Sequence, residues 1–316
     1  MKGCLLVISD MKKSATAPHI IQSISELHRL LSLPKPEHPL VSMINLTDLK
    51  EVCKEMVGSF VYNFYSVCIK KDFNGKMKYG QSHYDFDEGV MTFFSPGQVI
   101  STEVNDDISL SGWWVVFHPD FIRNYPLGKS ILNYGFFSYA VNEALHLSEK
   151  EEAMLASIMQ NIHQEYRSVI DSYSQDVIVS HLELLLNYSN RFYNRQFITR
   201  KNIHSGLLSK LEALLADYFN SDQLQETGLP SVQFISEQLH ISSNYLSDML
   251  RNLTGQSTQQ HIHNKLIEKA KEWLTTTSLS VSEIAYELGF EYPQSFNKLF
   301  KSKTNLSPLE FRSSFN

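Results

Sequence analysis

Two segments in the last third of the chain follow one plan, in which a short helix, a tight turn and a second helix succeed each other. The first spans residues 232–255 and turns at His240-Ile241-Ser242, and the second spans 281–305 and turns at Gly289-Phe290-Glu291. Gly289 suits such a turn because glycine adopts a positive φ at no steric cost. Each unit has an apolar face that must pack on neighbouring helices, so the repeat predicts a compact all-α domain.

A long stretch at residues 258–274 connects the two units and has the pattern of a single helix. A helix of about 17 residues is roughly 25 Å long, and successive major grooves on one face of DNA lie ~34 Å apart. Such a rod can hold two second helices against one face of double-stranded DNA, which is where helix-turn-helix proteins place them. We predict helices near residues 207–220, 232–239, 243–253, 258–274, 281–288, 293–303 and 308–312.

An ordered series of short strings runs through residues 207–312. The strings are SNYLS at 243–247, TGQS at 254–257, LIEKAK at 266–271, IAYELGF at 284–290, SFNKLFK at 295–301 and LSPLEFR at 306–312. This series resembles the C-terminal signature of AraC-type transcription regulators. The resemblance implies a sequence-specific DNA-binding regulator that acts as a homodimer with RNA polymerase as a partner.

Carried over by position, the resemblance also implies which side chains contact DNA. Pro293 has no donor and is expected to make only apolar contact, whereas Asp248 could accept from cytosine or repel phosphate. The implied base contacts are Asn244, Ser247 and Asp248 in the first unit and Pro293, Gln294, Ser295 and Lys298 in the second. The implied phosphate contacts are Arg251, Lys298, Lys301 and Lys303.

The chain departs from the family pattern at four of these motif positions. Ser236 and His240 stand where the family usually has alanine and glycine, and Asp248 stands where a basic residue is common. Asn305 replaces a turn glycine, although asparagine tolerates the left-handed conformation. The first unit therefore differs more from the family than the second.

The N-terminal part of the chain has the pattern of strands between about residues 41 and 117. Residues 60–71 are rich in aromatic and β-branched side chains, Asn74-Gly75 is typical of a hairpin turn, and residues 76–84 and 90–94 continue the pattern. Residues 98–104 and 112–117 complete five or more short strands. This spacing predicts a small sandwich or barrel.

The stretch 112–122 loosely resembles the sensor half of AraC-type regulators, which implies a cupin-like domain that binds a small-molecule effector. Side chains of the plain core are the alternative interpretation of every residue in such a pocket. The candidate effector residues are Tyr62, Phe64, His83, Phe93 and Trp113.

Metal binding and catalysis find little support in the residue pattern. His83, Asp85 and Glu88 lie close together, but a metal-binding cupin needs further histidines, so we expect no metal and no cofactor. The sequence has no nucleophile elbow, phosphate loop, His-Glu-x-x-His motif or dinucleotide fingerprint, so we expect no enzyme. A metal-dependent cupin enzyme with a DNA-binding tail remains an alternative.

Two helices are predicted between the strands and the repeated units. Ser148 and Glu151 form a capping box, after which one apolar stripe follows at three- and four-residue steps. We expect these helices to pair between the subunits of a homodimer, and packing on the strand domain is the alternative. The stripe consists of Leu155, Ile158, Met159, Ile162 and Tyr166, and a second helix near 175–193 has Ile178, Leu182, Leu185 and Phe192 on one face.

Composition places limits on these interpretations. Lys and Arg number 28 against 34 Asp and Glu, for a net charge of −6, and from Lys201 onward there are roughly ten against roughly twelve. We therefore expect weak non-specific DNA binding by a monomer, strong salt sensitivity and reliance on dimerisation. Three scattered cysteines and the lack of any stretch near ~18 apolar residues predict a cytoplasmic protein with no membrane partner.

The complete prediction is an α+β chain of two domains. The boundaries are an N-terminal segment at 1–40, a cupin-like effector-sensing β-barrel with flanking dimerisation helices at 41–194, a linker at 195–206 and an all-α DNA-binding domain with two helix-turn-helix units at 207–316. The predicted function is transcription regulation gated by an effector. A regulator without a ligand, controlled by a partner protein, is the other alternative.

Overall fold

The computed structural model describes residues 18–49, 58–71, 77–79, 82–84, 89–102, 111–140, 143–169, 171–199, 201–221 and 223–315. The chain divides after Gln196 into two compact units, the first rich in strands and the second helical. The predicted two-domain α+β organisation is therefore confirmed. No helix among these residues is long and apolar enough to cross a membrane.

The strands of the first unit form three sheets. A five-stranded sheet has the order β10-β7-β4-β9-β2, a second sheet has the order β1-β3-β8, and β5 pairs with β6. All pairs are antiparallel except β1 with β3. The strands are β1 (His19–Ile21), β2 (Val41–Asn45), β3 (Gly58–Tyr62), β4 (Tyr65–Lys71), β5 (Met77–Tyr79), β6 (Ser82–Tyr84), β7 (Val90–Phe94), β8 (Val99–Thr102), β9 (Ser111–Phe117) and β10 (Leu145–His146).

An apolar core joins the three-stranded sheet to one face of the five-stranded sheet. Phe60 and Ile100 of the smaller sheet share a cluster with Cys68 and Val116 of the larger one. Among the described strands the sheets are open and packed in layers, so the structure does not confirm a closed barrel. The chain passes from one sheet to the other at Asn63, whose N–H donates to the Ile21 carbonyl at 3.1 Å.

Two predicted strands are each divided in the structure. Residues 60–71 form β3 and β4, which lie in different sheets, because the backbone turns at residues 63–64. Residues 76–84 contain β5 and β6, which pair with each other. The predicted Asn74-Gly75 turn and the carboxylates of Asp85 and Glu88 lie outside the described residues.

The helices of the first unit cover its sheets. Ile21 and Leu27 are fully buried, so residues of the predicted N-terminal segment 1–40 contribute to the core of this unit. The N–H of Ser148 donates to Glu151 at 2.9 Å, which confirms the predicted capping box. The helices are α1 (Ile24–Leu30), α2 (Pro119–Ile122), α3 (Pro126–Ser130), α4 (Glu149–Arg167) and α5 (Ser174–Thr199).

The apolar stripe of α4 packs inside its own chain. Leu155, Met159 and Ile162 are fully buried, and α4 lies against β2 and β9. Our expectation that this stripe pairs between subunits is therefore wrong, and packing on the strand domain is the correct alternative. The physical reason is that the sheet offers an apolar face, lined by residues such as Val115, that only a helix can cover.

Residues 195–206, predicted as a linker, lie largely in helices. Helix α5 continues to Thr199 and the next helix begins at Lys201. Arg195 donates to the two Glu151 carboxylate oxygens at 3.0 and 2.6 Å, and the Gln196 side chain accepts from the His146 N–H at 2.8 Å. These polar side chains bind groups of the first unit, which their composition alone did not indicate.

The second unit contains eight helices among the described residues. The seven predicted helices are confirmed, although the first of them begins at Lys201 rather than near 207, and α7 is additional. Leu246, Met249, Leu250, Phe296 and Phe300 are buried in its core. The helices are α6 (Lys201–Asn220), α7 (Gln223–Thr227), α8 (Val232–Gln238), α9 (Ser243–Thr254), α10 (Thr258–Thr276), α11 (Val281–Glu287), α12 (Pro293–Thr304) and α13 (Pro308–Ser313).

Candidate DNA-binding interface

The turns of the two helix-turn-helix units have the same backbone geometry. His240 has a φ of 57° and Gly289 a φ of 80°, both in the left-handed region. After each, one N–H donates to the carbonyl five residues earlier, from Ile241 to Ser236 and from Phe290 to Ala285, both at 3.0 Å. The repeat inferred from the sequence is therefore a repeat of local structure.

The second helices, α9 and α12, also end in the same way. Gly255 with a φ of 73° follows α9, and Asn305 with a φ of 62° follows α12. Each donates its N–H four residues back, to the carbonyls of Arg251 and Lys301. Asparagine thus fills the glycine position as expected, because its short polar side chain tolerates this conformation.

Helix α10 is the common support of both units. Its 19 residues correspond to roughly 28 Å, and it packs against α6, α9, α11, α12 and α13. Ser257 and Gln260 form a capping box at its start. The buried Ile262, Leu266 and Ala270 lie along its length, so both units are fixed to one rod.

The predicted contact residues of the first unit lie on or near the surface of α9. Asn244 and Arg251 are exposed. Arg251 donates to the Asp248 carboxylate at 3.2 Å, with side-chain exposures of 60% and 31%. Ser247 shares a hydrogen bond of 3.1 Å with Thr258, at the start of α10. Ser247 is therefore engaged with the scaffold of the domain.

The predicted residues of the second unit follow the exposed side of α12. Gln294, Ser295, Lys298 and Lys301 are exposed, whereas Pro293 is half-buried at the first helical position. Proline is favoured there because its missing N–H has no intrahelical partner in any case. The opposite side of α12 carries the fully buried Phe296 and Phe300. Leu299, between them, is only half-buried.

The remaining cation of α12 lies beside α10. Lys303 donates to the Asn264 side chain at 3.3 Å. Partial burial, with the nearby charge of Lys303, lowers the pKa of His263. Both effects favour the neutral form of the His263 imidazole.

The family departure at Ser236 is accommodated by hydrogen bonds. Ser236 is almost fully buried, and its hydroxyl bonds the Gln233 carbonyl and the Ser243 hydroxyl, both at 2.8 Å. A buried hydroxyl without partners would destabilise the domain, but this one joins α8 to the first residue of α9.

Two structural roles in this domain were not predicted. Arg312 donates to the carbonyls of Leu274 at 3.0 Å and Leu279 at 2.7 Å, so it ties α13 to the end of α10. A Cβ on Gly289 would lie 2.8 Å from the Gly228 Cα, so the second turn needs glycine for space as well as for φ. Both depend on contacts between residues distant in sequence, which no local pattern indicates.

The lysines of α10 interact with neighbouring side chains of their own domain. Lys265 pairs with Glu268 and Lys269 with Glu272, each at 3.2 Å. Lys269 also donates to Asn220 at 2.9 Å. This arrangement favours the interpretation of these lysines as helix surface rather than as DNA contacts.

Comparison with known proteins agrees with this geometry. A family profile described as a helix-turn-helix domain matches residues 235–314. Over 162 residues the chain is 29% identical to the uncharacterized HTH-type transcriptional regulator YfiF of Bacillus subtilis, covering 51% of this chain and 48% of that protein. Over 140 residues it is 30% identical to the HTH-type transcriptional activator RhaS of Escherichia coli, covering 44% and 45%. The C-terminal part of the chain therefore contains an AraC-type helix-turn-helix domain.

The chain spans about half the length of these curated relatives. Among solved structures it is similar to the C-terminal domain of the two-component response regulator yesN from Fusobacterium nucleatum. That similarity has 31% identity and a TM-score of 0.29, and it covers 33% of this chain and 95% of that domain.

The candidate effector residues do not share one pocket. Tyr62 and Phe64 stack at 5.1 Å between the two larger sheets. Phe93 contacts Phe136 on the opposite, helix-covered face of the five-stranded sheet. On that same face Trp113 contacts His163 of α4 at 4.8 Å. The fifth candidate, His83, lies in β6, and its side chain is outside the described residues.

A small crevice does exist on the helix-covered face. It is bounded by Phe93, Phe136, Tyr139 and Tyr193, has a cavity volume of only about 10 Å³ and is partly open to solvent. Typical small-molecule pockets measure about 300–1,000 Å³. No group of three metal-ligating side chains occurs within the described ranges.

Proposed function

We propose that this protein is a transcription regulator that reads double-stranded DNA by placing α9 and α12 in successive major grooves. The observation that carries the proposal is the duplication of one turn geometry, with φ values of 57° and 80°, on the two sides of a single rod. On the basis of the similarity to regulators such as RhaS, we also propose RNA polymerase as a partner and a cytoplasmic location. We propose no catalytic activity for the chain.

Site roles follow from exposure. We assign base reading to Asn244 in the first unit and to Gln294 and Ser295 in the second, since polar uncharged side chains read base edges. Lys298 and Lys301 are assigned to phosphates. Pro293 is left with apolar contact alone.

The test is selection of duplexes from a random-sequence pool by the full-length protein. We expect two short conserved blocks about one helical turn, ~10 base pairs, apart. Asn244→Ala should relax one block and Gln294→Ala the other, which orients the protein on its site. Failure of the wild-type protein to enrich any sequence would reject the proposed function.

We further propose that the strand-rich N-terminal unit regulates DNA binding. In this proposal an effector bound there changes which half-sites on DNA a dimer can span. The order along the chain, with the strand-rich unit before the DNA-binding unit, supports this regulatory role. The packed core between the two larger sheets favours the version in which a partner protein replaces a small molecule. Identical footprints with every candidate metabolite would reject the small-molecule version.

We propose that dimerisation uses the exposed apolar face of α5, since the predicted stripe of α4 is buried inside its own chain. Tyr173, Val177 and Leu184 are apolar and exposed at spacings of four and seven residues. Leu184→Glu should then shift sedimentation from dimer to monomer, with Lys129→Glu, an exposed-helix control in α3, unchanged. Equal sedimentation of wild type and Leu184→Glu would exclude this face.

A further inference from the structure

Charge is distributed unequally between the two helices that we propose to enter the grooves. Helix α9 carries one acid and one base, Asp248 and Arg251. Helix α12 carries Lys298, Lys301 and Lys303 and no acid. The two units match in backbone geometry, so this difference lies in their side chains alone.

The pairing of these charges sharpens the difference. Arg251 is bound by Asp248 at 3.2 Å, one helical turn earlier. None of the three lysines of α12 forms an ion pair with any residue that the structure describes. Arg251 thus reaches DNA already paired with a carboxylate, whereas the lysines reach it without an ion-pair partner among the described residues.

Acidic residues around α12 are mostly held by neighbours. The carboxylate of Glu283 accepts from the Ser280 N–H at 2.6 Å, and Glu287 accepts from Gln225 of α7. Glu310 lies near Lys301 and accepts from the Ser307 N–H at 2.7 Å. Glu291, exposed just before α12, offsets part of the lysine charge. The second unit still presents the more cationic helix.

We infer that the two units divide their tasks: α12 supplies the affinity for phosphate, and α9 supplies selectivity because Asp248 neutralises Arg251. Asp248 is then a positioning residue, which directs the guanidinium and lowers its attraction to arbitrary phosphates. Binding to random DNA depends on uncompensated cations, whereas base reading depends on oriented donors. The inference rests on the proposed function, since it concerns the same two helices.

Salt titration of full-length variants tests this division. The probes are a duplex recovered by selection and a random-sequence duplex of equal length. Each neutralised phosphate contributes about 0.9 to the slope of log K against log salt. Lys298→Gln/Lys301→Gln should therefore reduce the slope by about 1.8 on both duplexes. Lys210→Gln, on the exposed side of α6, is the matched control and should leave it unchanged.

Variants of the first unit should behave differently. Arg251→Gln should leave the slope on random DNA within ~0.3 of wild type and reduce the preference for the selected duplex about 5- to 150-fold. Asp248→Asn should free the guanidinium, increase the slope on random DNA by about 0.9 and reduce the same preference.

Three outcomes would overturn the inference. They are an equal loss of slope for Arg251→Gln and for one lysine variant, an unchanged slope for Asp248→Asn, and an unchanged slope for the double lysine variant. Each is observable while the wild-type protein still prefers the selected duplex. Absence of that preference in the wild type would instead reject the proposed function.

Discussion

The two turn residues His240 and Gly289 provide a matched pair of backbone positions that differ in side chain. A left-handed conformation costs an ordinary residue roughly 1–2 kcal/mol, and glycine costs about 0.5–1 kcal/mol in lost chain entropy. The His240 side chain is exposed, and its N–H bond to Glu237 does not depend on it. We therefore expect His240→Gly to stabilise the helical C-terminal unit of the chain by about 0.5–1 kcal/mol.

The reverse change should be harmful at Gly289. Alanine there adds the same strain and places a Cβ 2.8 Å from the Gly228 Cα and 3.2 Å from the Leu224 carbonyl oxygen. Both are backbone atoms, so relief requires the segments to move apart. After the entropy gain is subtracted, we expect Gly289→Ala to destabilise the unit by roughly 1–4 kcal/mol.

Amide hydrogen exchange read by mass spectrometry measures these effects within one unit of the full chain. Peptides from α8 and α9 should exchange about two- to fivefold more slowly in His240→Gly. His240→Ala is the control that removes the imidazole and keeps the Cβ, and it should give no protection. Gly206→Ala, which meets no atom within 4 Å, is the control for Gly289→Ala. Equal protection by His240→Ala and His240→Gly, or unchanged exchange in Gly289→Ala, would refute the reasoning.

Three further predictions concern stability. Phe64 is fully buried, so Phe64→Ala should destabilise the strand-rich N-terminal unit by about 3–5 kcal/mol in denaturant titration. A loss of under 1 kcal/mol would contradict this and would favour Phe64 as a residue of an effector pocket. Arg312→Met should destabilise the second unit by about 1–3 kcal/mol, since it frees two carbonyls, and should leave the salt slope of DNA binding unchanged. Hydrogen bonds from Ser280 and Ser307 lower the pKa values of Glu283 and Glu310, so the stabilisation by these carboxylates is present above the ordinary carboxyl pKa and is lost as the pH falls below it. Thermal melts between pH 6 and pH 3 should therefore show a smaller loss of stability in Glu283→Gln/Glu310→Gln than in the wild type. An equal loss of stability in both proteins would contradict this prediction.

The local features of the DNA-binding domain were predictable because the determinants are adjacent in sequence. The left-handed turn at residue 289 and the apolar spacing of α9 and α12 each act over three to five residues. Those signals located seven helices to within a few residues, except at the start of α6. The roles of Asn244 and the other proposed DNA contacts still depend on the resemblance and stay predictions.

The fold of the strand-rich N-terminal unit was less predictable, because its strands pair with partners that are distant in sequence. A run such as residues 60–71 favours extended backbone throughout, but whether it serves one sheet or two depends on which strands pair with it. The same limit affected the effector candidates. Alternation places Phe93 and Tyr62 on different faces only once the register of each strand is fixed.

By itself, the sequence determined the all-α DNA-binding domain, its duplicated helix-turn-helix plan and the order of the two domains, since periodicity and turn chemistry are local properties of the chain. Tertiary structure alone decided where apolar and charged side chains find their partners. It buried the α4 stripe on the sheet, bound Arg195 to Glu151 and paired Arg251 with Asp248. The physical reason is that burial and ion pairing depend on distances through space, which a periodic pattern does not contain.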